Sequence, residues 1–159
     1  MISVHKKEKE KIYIMKVNIK RLNENAIIPT RGSNQSAGYD LYACVDAPVN
    51  IHAHCTEKIP TGLAIEIPDG YFGGIFARSG LATKHGLRPS NCCGVVDSDY
   101  RGNVIVALHN DTNEEKLIMP GERIAQLVIL PYLPVTFEEI DALSDTERGD
   151  KGFGDSGRF

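Results

Sequence analysis

The sequence predicts an all-β domain, a jelly-roll-like β-sandwich or barrel with at most one short helix. Three observations predict it. Short apolar runs recur at intervals of about 8–12 residues, separated by Gly, Pro, Asn and Asp, the rhythm of short strands and turns. Helix is scarce, with a single candidate of one or two turns. The composition, 42% hydrophobic and 25% charged over 159 residues, is that of one ordinary domain that buries a core without disulfide staples.

The elements follow in order. Residues 1–14 carry a charged run from His5 to Lys11 and read as a flexible N-terminal extension, a basic targeting element being the other reading. Met15 opens the alternation Lys16-Val17-Asn18-Ile19-Lys20. Strands are predicted over 12–19, 39–45, 61–67, 71–77, 92–96, 103–109 and 123–130. In the strand over 103–109, Val104, Val106 and Leu108 face one side and Ile105, Ala107 and His109 the other. Such a strand belongs inside a sandwich or against a neighbouring subunit. The helix lies within 79–85, with Ser79 as its cap. Residues 148–159 hold four glycines and are predicted to form an arm that is mobile until something orders it. The β domain proper is therefore 15–147.

Charge and composition exclude several classes. Lys+Arg is 18 and Asp+Glu 21. Residues 1–21 hold seven of the basic and two of the acidic residues, leaving 11 basic and 19 acidic for the rest. An acidic body does not attract a polyanionic duplex, so no nucleic-acid partner is expected. Phosphate binding has to be local, through a few placed arginines, backbone N–H groups and a divalent metal. No apolar run approaches the roughly 18 residues of a membrane-spanning helix, and no membrane partner is expected. The N-terminus lacks the pattern of a secretory signal. Cys44, Cys55, Cys92 and Cys93 are too oddly spaced for a disulfide framework. The adjacent pair suits buried, reduced thiols and a cytoplasmic location, with nucleus or organelle left open.

Four stretches combine glycine with charged or hydroxyl side chains. In Ser36-Ala37-Gly38-Tyr39-Asp40-Leu41, Asp40 starts a strand beside a glycine that permits an unusual backbone angle; a turn aspartate is the plainer reading. In Ala77-Arg78-Ser79-Gly80-Leu81-Ala82, a strand gives way to a helix start whose free N–H groups, with Arg78 and Ser79, suit a phosphate. A capped helix with a surface arginine fits equally well. In Asn91-Cys92-Cys93-Gly94-Val95-Val96-Asp97-Ser98-Asp99-Tyr100-Arg101-Gly102, two apolar strands flank a polar bend, so a hairpin is predicted. Its backbone can meet a flat heterocycle, a partly buried Asp97 can orient and deprotonate a water, and Tyr100 offers a ring face. A polar turn is the alternative. The tail Arg148-Gly149-Asp150-Lys151-Gly152-Phe153-Gly154-Asp155-Ser156-Gly157 matches G-x-G-x-x-G by spacing. No strand leads into it and no helix follows, so it is not a dinucleotide fingerprint. It can still close over a nucleotide, amides on phosphates and ring on base. His52, His54 and Cys55, with the histidines on one strand face, lack a second ligand pair for zinc.

These stretches, with a fifth at Pro120-Gly121-Glu122-Arg123-Ile124-Ala125-Gln126-Leu127, stand in the order of the motifs of the trimeric deoxyuridine triphosphate nucleotidohydrolases (dUTPases). The sequence resembles that family over essentially all of 15–159. The resemblance implies a jelly-roll homotrimer with three active sites at subunit boundaries. It implies hydrolysis of dUTP to dUMP and pyrophosphate, limiting uracil in DNA and supplying dUMP for dTMP synthesis. Asp97, not Asp99, matches the carboxylate that holds the attacking water. Asn91, Gly94 and Val96 lie in the stretch that reads uracil, and Tyr100 matches the tyrosine that packs on deoxyribose. Arg78, Ser79, Gly80 and Gln126 match phosphate-contacting positions. Asp40 matches a carboxylate that touches water ligands of Mg²⁺, the metal itself being held mainly by the triphosphate. Arg148 and Phe153 match the tail residues that clamp the nucleotide, with Gly154 and Ser156 at the terminal phosphates. Ala77, Lys151 and Asp155 depart from the common pattern, which bears on arm closure rather than on the reaction class. The Cys92–Cys93 pair lies in the arm that reads the base.

Two rival readings share the scaffold. Deoxycytidine triphosphate deaminases resemble this sequence through the hairpin but carry a glutamate where Ala107 stands, and a methyl group cannot move protons. A non-catalytic binding protein would not need Asp97, Arg78, Ser79, Gln126, Arg148 and Phe153 together.

Overall fold

The computed structural model describes residues 15–152. Among them are twelve strands and one helix. The strands are β1 (Asn18–Arg21), β2 (Thr30–Arg31), β3 (Tyr39–Tyr42), β4 (Val49–Ile51), β5 (Thr56–Pro60), β6 (Leu63–Glu66), β7 (Tyr71–Phe76), β8 (Leu87–Pro89), β9 (Cys93–Val96), β10 (Ile105–Asn110), β11 (Lys116–Ile118) and β12 (Arg123–Pro131), with α1 (Ser79–His85) between β7 and β8. They form a five-stranded sheet ordered β2-β3-β12-β7-β9, a three-stranded sheet β5-β10-β8, and the pairs β1-β6 and β4-β11. Every pairing is antiparallel.

All seven predicted strands have a counterpart, usually trimmed by one to three residues. The first is displaced to Asn18–Arg21, because its register runs from Asn18 opposite Glu66 to Arg21 opposite Leu63. Its residues 12–14 lie outside the described residues. Five strands carry too weak an apolar signal to be foreseen: β2, β4, β5, β8 and β11. Thr56-Glu57-Lys58-Ile59-Pro60, for example, buries only Ile59 fully. The helix is as expected in place, but its N-cap is Arg78 in an extended conformation rather than Ser79, and no side chain caps it. It ends where Gly86 takes the left-handed conformation (φ 66°) and donates its N–H to Ala82 O.

One apolar cluster joins the sheets, with Leu41, Ile51, Ile59, Leu63, Val106, Leu108 and Ile124 essentially inaccessible. The predicted two-sided burial of 103–109 is half realised. Val106 and Leu108 are buried, Ala107 and His109 are half-buried, and Ile105 is 47% exposed. Within one chain that second face is open.

The four cysteines are free. The burial expected of the adjacent pair does not hold: Cys93 is half-buried and Cys92 exposed, while Cys44 is half-buried and Cys55 exposed. Desolvation, helped by Asp46, pushes the Cys44 thiol above its ordinary pKa. His52 and His54 do not share a strand face. They follow the end of β4 and bond separately, His52 Nδ1 to Glu115 Oε2 at 3.2 Å and His54 Nε2 to Asn113 Oδ1 at 2.8 Å.

Asn110 closes the three-stranded sheet against the β4–β11 end. Fully buried, it donates from Nδ2 to the carbonyls of Ile51, His52 and Glu114, and its Oδ1 accepts from the N–H and hydroxyl of Thr112. Asn110→Ala leaves those carbonyls without their donor in a dry site. A loss of roughly 3 kcal/mol is expected, to be read by thermal or denaturant unfolding at fixed protein concentration.

Candidate active site

Strand register sets the layout. Thr30, Asp40, Gln126, Phe76 and Cys93 stand opposite one another in a single row across the five-stranded sheet. Three of the sequence-predicted stretches thus converge on one sheet, the 77–82 stretch leaves it directly after Phe76, and Asp40 and Gln126 are direct neighbours.

At this row the chain builds a cationic corner. Arg78, two residues past the row on the chain leaving β7, donates from Nε to Asp40 Oδ1 at 2.9 Å and from Nη1 to Arg123 O at 3.3 Å. Arg123 Nη1 reaches the other Asp40 oxygen at 3.2 Å. The Asp40 side chain is only 16% exposed, so the pair of guanidinium groups offsets the cost of keeping its charge there. A guanidinium has five N–H donors, so Arg78 retains donors for an anion. Ser79 and Gly80, both exposed, begin α1 beside it, where the first amides of a helix have no partner within it. Gln126 Nε2 donates to Ala77 O at 2.8 Å. Gly38 serves this corner differently from the expectation. It is not among the positive-φ glycines; rather, a methyl group there would collide with the Gln126 side-chain oxygen. A cavity of about 320 Å³ lies alongside, bordered by Arg78, Gly80, Lys84, His85 and Lys116.

The second place lies around β9. The predicted hairpin does not form as foreseen: β9 pairs with β7, while β10 pairs with β5 and β8. The bend between them leaves one sheet and enters another, because Val104 is tied by two backbone bonds to Thr61 and Leu63. A pocket of about 230 Å³ opens in the resulting cleft. Asn91, Gly94, Val96, Asp97, Tyr100 and Asn103 are among the residues that line it. Tyr100 N–H donates to Asp97 O at 3.2 Å and its hydroxyl to Asn103 O at 3.0 Å, which holds the bend. A Cβ at Gly102 would meet the Tyr100 ring and hydroxyl, so a side chain there would have to displace that ring. Asp97 is exposed, not partly buried as expected. It directly follows β9 and also borders a second cavity of about 570 Å³ with Phe72, Val95, Ser98, Asp99 and Tyr132. Cys92, just before β9, has φ 62°, a left-handed conformation uncommon outside glycine.

The two places lie at opposite ends of the β7–β9 pair. Phe76 opposes Cys93 and Gly73 opposes Val96, so Asp97 falls at the Phe72 end while Arg78 leaves past Phe76. Four strand positions at about 3.3 Å each give ~13 Å between the Phe72 level and the Phe76 row, to which Arg78 reaches back through Asp40. Within one chain Asp97 and Arg78 thus sit at opposite ends of the β7–β9 pair.

In the tail, Arg148 is exposed and donates from Nε to Lys151 O at 3.1 Å. Phe153, Gly154 and Ser156 lie outside the described residues. Sequence reasoning missed Arg123, although it stands within the quoted fifth stretch. A cation three residues before Gln126 on a strand paired with that of Asp40 was the available signal.

Comparisons with known proteins bear on the arrangement. The family model described as dUTPase matches residues 24–157. The deoxyuridine 5'-triphosphate nucleotidohydrolase of Nautilia profundicola is 47% identical over 144 residues, 91% of this chain and 100% of that protein. The solved structure of Staphylococcus bacteriophage 80alpha dUTPase with dUPNHPP is similar at a TM-score of 0.77 and 31% identity, covering 89% of this chain and 98% of that one. A mutant dUTPase from phage phi11 of S. aureus, described with a coordinated structural Mg(II) ion, is similar at a TM-score of 0.73 and 25% identity over 80% of this chain and 98% of its own.

Proposed function

The chain belongs to the dUTPase family and its reaction is hydrolysis of dUTP to dUMP and pyrophosphate; we propose that Asp97 is the general base of that reaction, in sites that each draw on more than one protomer of a homotrimer. The observation that carries this reading is the separation of Asp97 from Arg78 along the β7–β9 pair. A second protomer supplies what one chain keeps apart. The open Ile105–Ala107–His109 face of β10 gives such a protomer a surface to cover.

The uracil enters the cleft of Asn91, Gly94 and Val96, and Tyr100 packs against the deoxyribose. Asp97 holds a water by its carboxylate and takes its proton as the oxygen attacks the α-phosphorus; pyrophosphate leaves. From the neighbouring protomer, Arg78, the Ser79 hydroxyl, the Gly80 amide and Gln126 hold the phosphates in line, with charge compensation strongest where the transition state gathers it. Arg148 and Phe153 close the arm over the nucleotide, with Gly154 and Ser156 at the terminal phosphates.

Mg²⁺ fits this chain in one role only. Both Asp40 oxygens already accept from guanidinium groups, yet a carboxylate has lone pairs to spare and can accept from metal-bound water. Mg²⁺ typically takes substrate phosphates plus few protein carboxylates. When bound, the metal neutralises triphosphate charge; Asp40 would hold it through water. We place the enzyme in the cytoplasm; no helix among the described residues is long and apolar enough to cross a membrane.

Pyrophosphate release measured on dUTP, dTTP, dCTP and UTP tests the reading. Strong preference for dUTP is expected, with loss of rate when Mg²⁺ is chelated. Ammonia from dCTP would instead favour the deaminase reading, against which Ala107 stands.

A further inference from the structure

Arg123 reaches Asp40 because β12 carries a bulge. Side chains alternate along a strand, so Arg123, three residues before Gln126, belongs on the opposite face. The β12–β3 register shifts between Arg123 and Ala125. Gln126 stands opposite Asp40 and Ala125 opposite Leu41, but Arg123 stands opposite Tyr42, which leaves Ile124 as the extra residue. Tyr42 lies two positions from Asp40 on β3 and shares its face, so the bulge turns Arg123 onto the face of Asp40 and Gln126. Burial agrees, since the consecutive residues Ile124 and Ala125 are both inaccessible. The backbone beside the bulge is pinned, with Glu122 O accepting from Ala43 N–H at 2.8 Å. The turned side chain donates from Nη1 to Asp40 Oδ2, while Arg78 donates from Nε to Asp40 Oδ1 and from Nη1 to the Arg123 carbonyl. Arg123 thus holds Arg78 at two points, once through the carboxylate and once directly.

We propose that Arg123 is a positioning residue of the dUTPase reaction, its bulged place on β12 fixing the Asp40 carboxylate that aims the Arg78 guanidinium at the phosphates. The inference rests on the assignment of Arg78 to the phosphates. Arginine has a long stem and much rotamer freedom, which is lost each time the head is aimed. A head clamped at Nε and Nη1 before the substrate arrives has met that cost in folding. With one carboxylate oxygen released, the Asp40 side chain can turn, and Arg78 turns with it. Donors set in advance count most where charge develops in the transition state. The benefit of the clamp therefore belongs to the chemical step more than to ground-state binding.

The test is a double-mutant cycle in the full-length protein. It uses Arg123→Met, which keeps an unbranched stem without donors, Arg78→Gln, and the two together, with Arg123→Lys as the conservative variant. Arg123→Met lowers kcat for dUTP by about ten- to a hundredfold, while affinity for a nonhydrolysable α,β-imido analogue changes much less. Arg123→Lys keeps a charge beside Asp40 and recovers part of the lost kcat. On the Arg78→Gln background the Arg123 substitution costs little more, because no guanidinium is left for it to aim. Unchanged kcat in a folded Arg123→Met enzyme would overturn the proposal. So would a loss that persists in full on the Arg78→Gln background, since Arg123 would then act on the ligand or on the fold by itself. Should Arg123→Met fail to fold, the same cycle run with Arg123→Lys decides on the same two outcomes. Wild-type kcat/KM in Arg78→Gln alone would overturn the assignment of Arg78 to the phosphates, and this proposal with it, a different result from either.

Discussion

Asp97→Asn is expected to abolish most dUTP turnover while leaving nucleotide binding nearly intact. The carboxamide has the size of the carboxylate and can still hold a water, but it cannot take a proton at neutral pH. The loss should fall in the range of about 10²–10⁴ that a positioned general base supplies. Asp97 is exposed just past β9 and no side-chain hydrogen bond among the described residues ties it to the fold, so stability should not change. Single-turnover kinetics read the chemical step, and titration with a nonhydrolysable α,β-imido analogue reads binding. A fall in kcat with unchanged affinity is the expected pair. Near-normal turnover would remove Asp97 from the role of base.

Much of this was legible in the sequence because β-strands speak through local alternation. Val104, Val106 and Leu108 announce their buried face without knowledge of any partner strand. Pairing is not local. Nothing within 91–110 says that β9 joins β7 and that β10 joins β5, and the predicted hairpin fails for that reason. The short strands β4 and β11 are stabilised by each other and by Asn110, a tertiary arrangement with little alternation of its own. At the site, Asp40, Arg78 and Gln126 were found as residues, but their junction comes from register across three strands. Arg123 escaped notice because its value lies in the second Asp40 oxygen, 83 positions away. The glycine before Asp40 was recognised for the wrong property. Space for the Gln126 amide, not backbone freedom, is what Gly38 provides.

The second large effect concerns how the site is assembled. Arg78→Gln removes a charge from the phosphate corner, while Arg123 still accompanies Asp40, so the fold should persist. Loss of a guanidinium that meets developing phosphate charge is expected to lower kcat/KM by about 10²–10³. Arg78→Gln and Asp97→Asn are then both nearly inactive, each lacking one half of the site and retaining the other.

Unfolding these two variants together in equal amounts and refolding them tests the central claim most directly. If every site takes Asp97 from one protomer and Arg78 from another, random reassembly leaves both groups intact in about one quarter of the sites. dUTPase activity should then return to about a quarter of the wild-type level from two nearly silent parents. A mixture no more active than its parents, despite confirmed exchange of protomers, would place both groups in the site of a single chain and contradict the account.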